Sequence, residues 1–408
     1  MKTTLRLPTF VSIGFAAAAS LGAAPRPADI AFRTHLIDPG TNETATVADL
    51  NNDGRPDIIS GDSWYEAPSW KKHPLRALNY SRGYVDNFSD HPMDIDGDGY
   101  TDLLQFSYFA RNIVWLKNPG KGGGTWTVNQ IDASGPTEFS FLVDLNNDGK
   151  AAELLPQFDR PEVPLAWFEL SGGKWVKHVV SPKSFGHGIG AGDLNGDGRN
   201  DILTPAGWLE APADVRAAGD WTFHPTDWSQ HRIPPSGSAP VPPAAGSPPP
   251  RPAQFGYLYV VDLNGDGRND VLTTMGHDYG VCWYENNADG TWTQRVIDSS
   301  WSQAHASVFV DLNGDGVRDL ITGKRYMAHN GSDPGEREPV GLYWYEYRKD
   351  EAGAVEWIRH IVDYGGRMGG GMQIQVADLD GDGDLDLVSG GKSGLHIAEN
   401  LTRTAPGR

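Results

Sequence analysis

The sequence predicts an all-β fold, a seven-bladed β-propeller, on three observations. One Asp-rich turn recurs seven times, short β-rich runs flank each copy, and aromatic residues repeat at fixed places between the copies. The turns are Asp49-Leu-Asn-Asn-Asp-Gly54, Asp94-Ile-Asp-Gly-Asp-Gly99, Asp144-Leu-Asn-Asn-Asp-Gly149, Asp193-Leu-Asn-Gly-Asp-Gly198, Asp262-Leu-Asn-Gly-Asp-Gly267, Asp311-Leu-Asn-Gly-Asp-Gly316 and Asp378-Leu-Asp-Gly-Asp-Gly383.

Each repeat supplies four strands in order. The first runs into the turn, as Ile374-Gln-Val-Ala377 does, and the second leaves it, as Asp57-Ile-Ile-Ser60 does. Aromatic third strands begin at Trp64, Trp115, Trp167, Trp208, Trp283 and Trp344, and fourth strands at Trp70, Trp126, Trp175, Trp228, Trp292 and Trp357. Four fourth strands carry a His three residues after the Trp, at His73, His178, His231 and His360, where packing within the blade is the expected role. The seventh repeat ends after its third strand, near Leu395-His-Ile-Ala398. Phe32-Arg-Thr-His-Leu-Ile-Asp38 resembles Trp357-Ile-Arg-His-Ile-Val-Asp363 and is expected to supply the missing strand, closing the ring and removing an exposed edge.

One propeller over residues 28–401 therefore accounts for most of the chain, with a Pro-rich insertion at 233–253 read as a solvent-exposed linker and a tail at 402–408. Lys2 and Arg6, the apolar run Val11–Leu21 and the small residues Gly22, Ala23 and Ala24 read as a signal peptide over residues 1–24, so the protein is expected to be secreted or periplasmic. That run is shorter than the roughly 20 apolar residues of a bilayer span, and no later segment reads as one. A net charge of −19 argues against a nucleic-acid partner, whose phosphates demand Lys and Arg clusters. Cys282 is the lone cysteine, which excludes an intramolecular disulfide and leaves packing and ions to stabilise an exported chain.

Oxygen donors at positions 1, 3 and 5, a Gly at 6 and a carboxylate at 9 suit a hard cation. Structural Ca2+ is expected at up to seven sites. The ligands would be Asp49, Asn51, Asp53 and Asp57; Asp94, Asp96, Asp98 and Asp102; Asp144, Asn146 and Asp148; Asp193, Asn195, Asp197 and Asp201; Asp262, Asn264, Asp266 and Asp270; Asp311, Asn313, Asp315 and Asp319; and Asp378, Asp380, Asp382 and Asp386. The third turn departs from the rule, with Glu153 one residue late, and is expected to close differently. On these turns the chain resembles the FG-GAP or VCBS family of calcium-loop propellers, to which the integrin α-subunit head belongs. The resemblance spans about residues 28–401 and implies the fold and the ion. The literal Phe-Gly and Gly-Ala-Pro sequences are missing, so integrin-like adhesion does not carry over.

The starts of the seven first strands should surround the channel mouth opposite the turns. Counting six residues back from each first Asp gives Glu43, Phe88, Glu138, His187, Gly256, His305 and Met372, with Asp90 and His91 nearby. Loops between second and third strands open on the same face with Tyr108, Arg111, Asp159, Arg160, His277, Asp278, Tyr279, Lys392 and the long segment Lys324-Arg325-Tyr326-Met-Ala-His329. The catalytic candidates are His187, His305, Tyr326, Arg325, His329, Glu138, Glu43 and His91. Such groups can hold Zn2+ or another divalent ion, transfer protons and stabilise an enolate. The Trp-Tyr-Glu and Trp-x-x-His strand pairs, with Gly186-His-Gly-Ile-Gly190, resemble the propeller domain of aldos-2-ulose dehydratase. That resemblance implies a carbon–oxygen lyase that eliminates from a small or polymeric carbohydrate, a keto-sugar or an acidic sugar. The alternative is a non-catalytic secreted module that binds a glycan or a protein.

Overall fold

A computed structural model describes residues 29–237, 252–350 and 352–403. The expected signal peptide, the middle of the Pro-rich insertion and the end of the tail lie outside the described residues. These form seven four-stranded antiparallel sheets and one small hairpin, Tyr80–Ser81 with Tyr84–Val85. Two short 3-10 turns, Gly120–Gly122 and Trp228–Gln230, are the helical elements among them. No helix of the described residues is long and apolar enough to cross a membrane.

First strands of neighbouring blades pack against one another and are therefore innermost. The second strands explain the ring. Each carries two successive apolar residues: Ile58-Ile59, Leu103-Leu104, Leu154-Leu155, Ile202-Leu203, Val271-Leu272, Leu320-Ile321 and Leu387-Val388, all fully buried. Successive side chains on a strand point to opposite faces. The first of each pair enters the cluster shared with the preceding blade and the second enters the cluster shared with the next, as Leu103 and Leu104 do. The hydrophobic core is thus seven inter-blade layers, to which each such side chain contributes on the order of 1.5–3 kcal/mol.

Third and fourth strands are joined by a recurring stack. In four blades His73, His178, His224 and His360 lie on Trp64, Trp167, Trp208 and Trp344 with ring centroids 4.0–4.3 Å apart. The Glu two residues after each Trp is within hydrogen-bond distance of the imidazole Nε2, 2.7–3.1 Å away. Blade four corrects the sequence reading. Its fourth strand is Thr222–Pro225 with His224, whereas Trp228–Gln230 is a 3-10 turn and His231 follows it. Trp221 and Trp228 both precede a His by three residues, and only the His after the former, His224, lies in register with Trp208.

Phe32–Asp38 pairs antiparallel with Gly394–Asn400 in the same sheet as Ile374–Ala377 and Asp386–Gly391. At the described ends of the Pro-rich insertion Pro234, Ser236, Gly237 and Pro252 are exposed, and two residues anchor it. Ile233 and Ala253 are buried against blade five because they cover its apolar face.

Blades four and five approach closely. Their inner strands are bridged at Ile189 and Tyr257. A Cβ on Gly190 would lie 2.0 Å from the Leu258 carbonyl oxygen, and one on Gly192 would lie 2.6 Å from Val260 Cβ.

Candidate active site and metal centre

At the base of the Asp-rich turns, the ninth-position carboxylate ties the turn to its blade. Asp201 accepts the Leu194 N–H at 3.0 Å and the Ala211 N–H at 2.9 Å, and Asp57, Asp102, Asp270 and Asp386 repeat both bonds. Burial pushes Asp57, Asp201, Asp270 and Asp386 up to about 6. Glu153 takes the same place in the third turn, accepting the Leu145 N–H at 3.0 Å; its extra methylene spans the inserted residue. Carboxylate oxygens of Asp94, Asp96 and Asp102 gather within 4.8 Å, as do those of Asp378, Asp380 and Asp386, a donor set that fits a hard cation. In the second turn Lys117 pairs with Asp96 and Asp98, so an ammonium shares these carboxylates. Turns are also wired to their neighbours: Asn200 and Asn269 each donate to the carbonyl of the first Asp in the preceding turn, at 2.6 Å.

The opposite mouth holds a cavity of about 320 Å3, lined by Tyr84, Phe88, Tyr108 and Phe109 on one side and by Glu138, His187, His277 and Arg325 on the other. Glu138 lies on the inner strand of blade three, and His187 and His305 stand just ahead of the inner strands of blades four and six. His277 joins them from the loop after the second strand of blade five. All four are buried, and one ligand atom from each lies within 4.8 Å of the others.

Hydrogen bonds fix which nitrogens face inward. His187 Nδ1 lies 2.8 Å from the Phe255 carbonyl and His277 Nδ1 lies 2.7 Å from Asp333 Oδ2, so both Nδ1 atoms are donors. Each neutral ring then carries its lone pair on Nε2, yet the two Nε2 atoms are 2.9 Å apart. Two facing lone pairs require a proton or a metal cation between them. Glu138 Oε2 is 3.3 Å from His187 Nε2, and His305 Nε2 is buried without a hydrogen-bond partner among the described residues. Three imidazoles and a carboxylate fit a divalent transition metal, and the bonds on the two Nδ1 atoms are the outer support such ligands need.

Charges reinforce this arrangement. Burial raises Glu138, but the His187, His277 and Arg325 charges outweigh it and hold the carboxyl low. Burial disfavours charge on His187, yet Glu138 keeps its pKa above the ordinary value. Burial and then the His187 charge bring His277 down to about 3. His305 is depressed by burial and then by Arg325.

Beside this cluster, Arg325 reaches from blade six across the mouth. Its Nε donates to Glu43 at 3.0 Å and its Nη1 to Glu138 at 3.3 Å. The guanidinium lies 5.6 and 5.5 Å from the Tyr84 and Phe88 ring centres.

Of the residues the sequence nominated, Glu43, Glu138, His187, His305, Arg325 and His329 come together here. His91 does not. It lies three residues further along its strand, roughly 10 Å deeper, in the wall of the central channel, with Nε2 at 2.9 Å from Ser140 O and Oγ. Tyr326 is 39 % exposed and does not line the cavity. His277 and Asp333 were not among the candidates. His277 stood in a polar loop sequence, and only its place beside two inner-strand histidines distinguishes it.

Comparison with known proteins supports the architecture. An FG-GAP-like repeat family matches residues 262–322. No curated protein matches the chain. Solved structures similar to it include BBS1N in complex with ARL6DN, with 10 % identity and a TM-score of 0.51 over 93 % of this chain and 99 % of that one. Rhamnogalacturonan lyase YesW has 13 % identity and a TM-score of 0.45 over 94 % and 76 %. The V. cholerae biofilm matrix protein Bap1 has 11 % identity and a TM-score of 0.43 over 92 % of each chain. At these identities the likeness to BBS1N is one of fold alone.

Proposed function

We propose that this FG-GAP-repeat propeller is a secreted carbon–oxygen lyase acting on an uncharged keto-sugar at its channel mouth, with Ca2+ in the Asp-rich turns and a second divalent ion held by Glu138, His187, His277 and His305. The convergence of those four buried ligand atoms within 4.8 Å carries the reading. Bound there, the ion would supply Lewis-acid polarisation of a sugar oxygen.

Elimination breaks a C–H bond next to the carbonyl and a C–O bond beyond it. The proton passes to a base, and the leaving oxygen collects one as it departs as water. Tyr84 and Tyr108 line the cavity, and burial pushes both phenols up, Tyr84 to about 12. They remain protonated at neutral pH; Tyr84 gives its hydrogen to the Ala328 carbonyl and Tyr108 to Asp159, so either phenol must release that bond to donate to the leaving oxygen. Arg325 favours a neutral substrate over a uronate, since Glu43 and Glu138 already share its charge. Its buried Nη2, unpartnered among the described residues, remains to donate to a carbonyl or enolate oxygen. Asp159, also in the cavity wall, would repel a substrate carboxylate.

The test is release of an ultraviolet-absorbing unsaturated product across a panel of neutral keto-sugars and acidic polysaccharides, with metal analysis of the same protein. His187→Ala and His305→Ala should lose the non-calcium metal and at least 10²-fold in rate while keeping calcium and melting with the metal-free wild type. A folded, metal-loaded wild type that binds sugars but converts none would replace the lyase with the glycan-binding module.

A further inference from the structure

Asp333 belongs to none of the strands, yet it touches the mouth twice. Its Oδ2 lies 2.7 Å from His277 Nδ1 and 2.7 Å from His329 Nδ1. The two rings stack with centroids 4.4 Å apart and planes inclined by 14°, which brings both Nδ1 atoms to one oxygen. A carboxylate oxygen has lone pairs enough for two donors, and it can only accept, so both rings are held with the hydrogen on Nδ1.

We propose that Asp333 is the positioning residue of the mouth: through one carboxylate oxygen it presents the His277 Nε2 lone pair to the metal ligands and the His329 Nε2 lone pair to the substrate cavity. His329 lines that cavity with its side chain 40 % exposed, whereas His277 is 2 % exposed among the ligands. One ring therefore binds metal while the other is open to accept the proton from the sugar carbon. This assignment rests on the metal-dependent lyase reading above.

Asp333 is itself placed by a strap, residues 325–339, tied down on several sides. Glu336 accepts the Asp333 N–H at 3.2 Å and also the His329 N–H. Lys324 Nζ, itself held by Ser302 Oγ at 2.9 Å, donates to the Gly335 carbonyl at 2.5 Å, and Lys392 Nζ donates to the Met327 carbonyl at 2.7 Å. Tyr84 donates to the Ala328 carbonyl, and Tyr279 to Glu338. Blades five and seven and the small hairpin thus fix the strap, and the strap fixes two histidines. An outer carboxylate of this kind typically accounts for 10–100-fold in metal affinity.

The experiment uses the full chain in two states. In the metal-free protein, imidazole 15N shifts should report hydrogen on Nδ1 and none on Nε2 for His277 and His329. Titration with Co2+ against a chromophoric chelator, followed by the ligand-field absorption of a nitrogen-rich site, should give Asp333→Asn an affinity about 10–100-fold below wild type with calcium content unchanged. His329→Ala should bind Co2+ within about 2-fold of wild type and release no unsaturated product. If wild type shows no nitrogen-rich Co2+ site, the metal centre itself falls and Asp333 with it. If wild type has the site but Asp333→Asn binds equally well, or the rings carry hydrogen on Nε2, the positioning role alone falls. The wild-type 15N measurement decides the tautomers even if Asp333→Asn fails to fold.

Discussion

Replacing Arg325 by Met keeps the volume and aliphatic stem but strands two carboxylates. Glu43 is completely buried and Glu138 nearly so. Breaking a buried pair by removing one partner costs about 3–5 kcal/mol. For Glu43 the cost has a ceiling, since the carboxyl can take up a proton instead. From an ordinary value of 4.5, neutralising it at pH 7 costs about 1.4 kcal/mol per pH unit over about 2.5 units, or roughly 3.4 kcal/mol. Glu138 keeps His187 and adds less. Because burial already raises Glu43 in the wild type, the loss at pH 7 is at most about 3–4 kcal/mol, still a large share of the roughly 5–15 kcal/mol that holds a domain folded. Burial already raises the Glu43 carboxyl above its ordinary value with Arg325 beside it, and without Arg325 it rises further, so the folded state of the variant binds more of the extra proton and the deficit grows as pH rises. Between pH 7 and pH 5 it should shrink, by at most about 2.7 kcal/mol. Urea unfolding of wild type, Arg325→Met and the double variant with Glu43→Gln measures this, and the double variant should recover most of the loss. A deficit below about 1 kcal/mol, or one independent of pH, would refute the argument.

Calcium bound by the folded turns alone adds stability by mass action, so EDTA should lower the melting temperature strongly; an unchanged curve after verified calcium removal would count against the ions. Deleting residues through 40 removes the strand paired with Gly394–Asn400, and the truncated chain should melt lower and self-associate; a monomer as stable as the parent would show that the pairing closes nothing of consequence. Burial brings Lys324 down to about 8. The unfolded chain then holds a proton that the folded chain has lost, so this residue's contribution to stability should rise with pH from about 8 to 10.5. Melting of wild type against Lys324→Met across that range checks it, and parallel curves would remove Lys324 from the account.

The ring was legible because its repeat has a phase. Once seven Asp-rich turns are aligned, a fixed step back from each first Asp lands on Glu43, Glu138, His187 and His305, and strand geometry carries that step into space. His91 misled because three residues along a strand is a depth, not a neighbour. His231 misled because the Trp-x-x-His spacing occurs twice within eleven residues, at Trp221 and at Trp228, and the spacing alone cannot say which is in register. His277 and Asp333 lie in loops that no repeat phases, where position depends on anchors such as Lys392 and Tyr84 on other blades.

The seam between blades four and five bears on how such a ring can be rebuilt. Its Gly188, Gly190 and Gly192 stand where blade six has Ala306, Val308 and Val310. A Cβ at any of the three would come within 2.8 Å of blade five. Blade four is therefore not an interchangeable module: grafting the inner strand of blade six into its place would wedge the seam open beside His187, whose Nδ1 is held by the Phe255 carbonyl on its far side. Shuffling or duplicating repeats in this chain should therefore fail at this seam unless its three glycines travel with the inner strand.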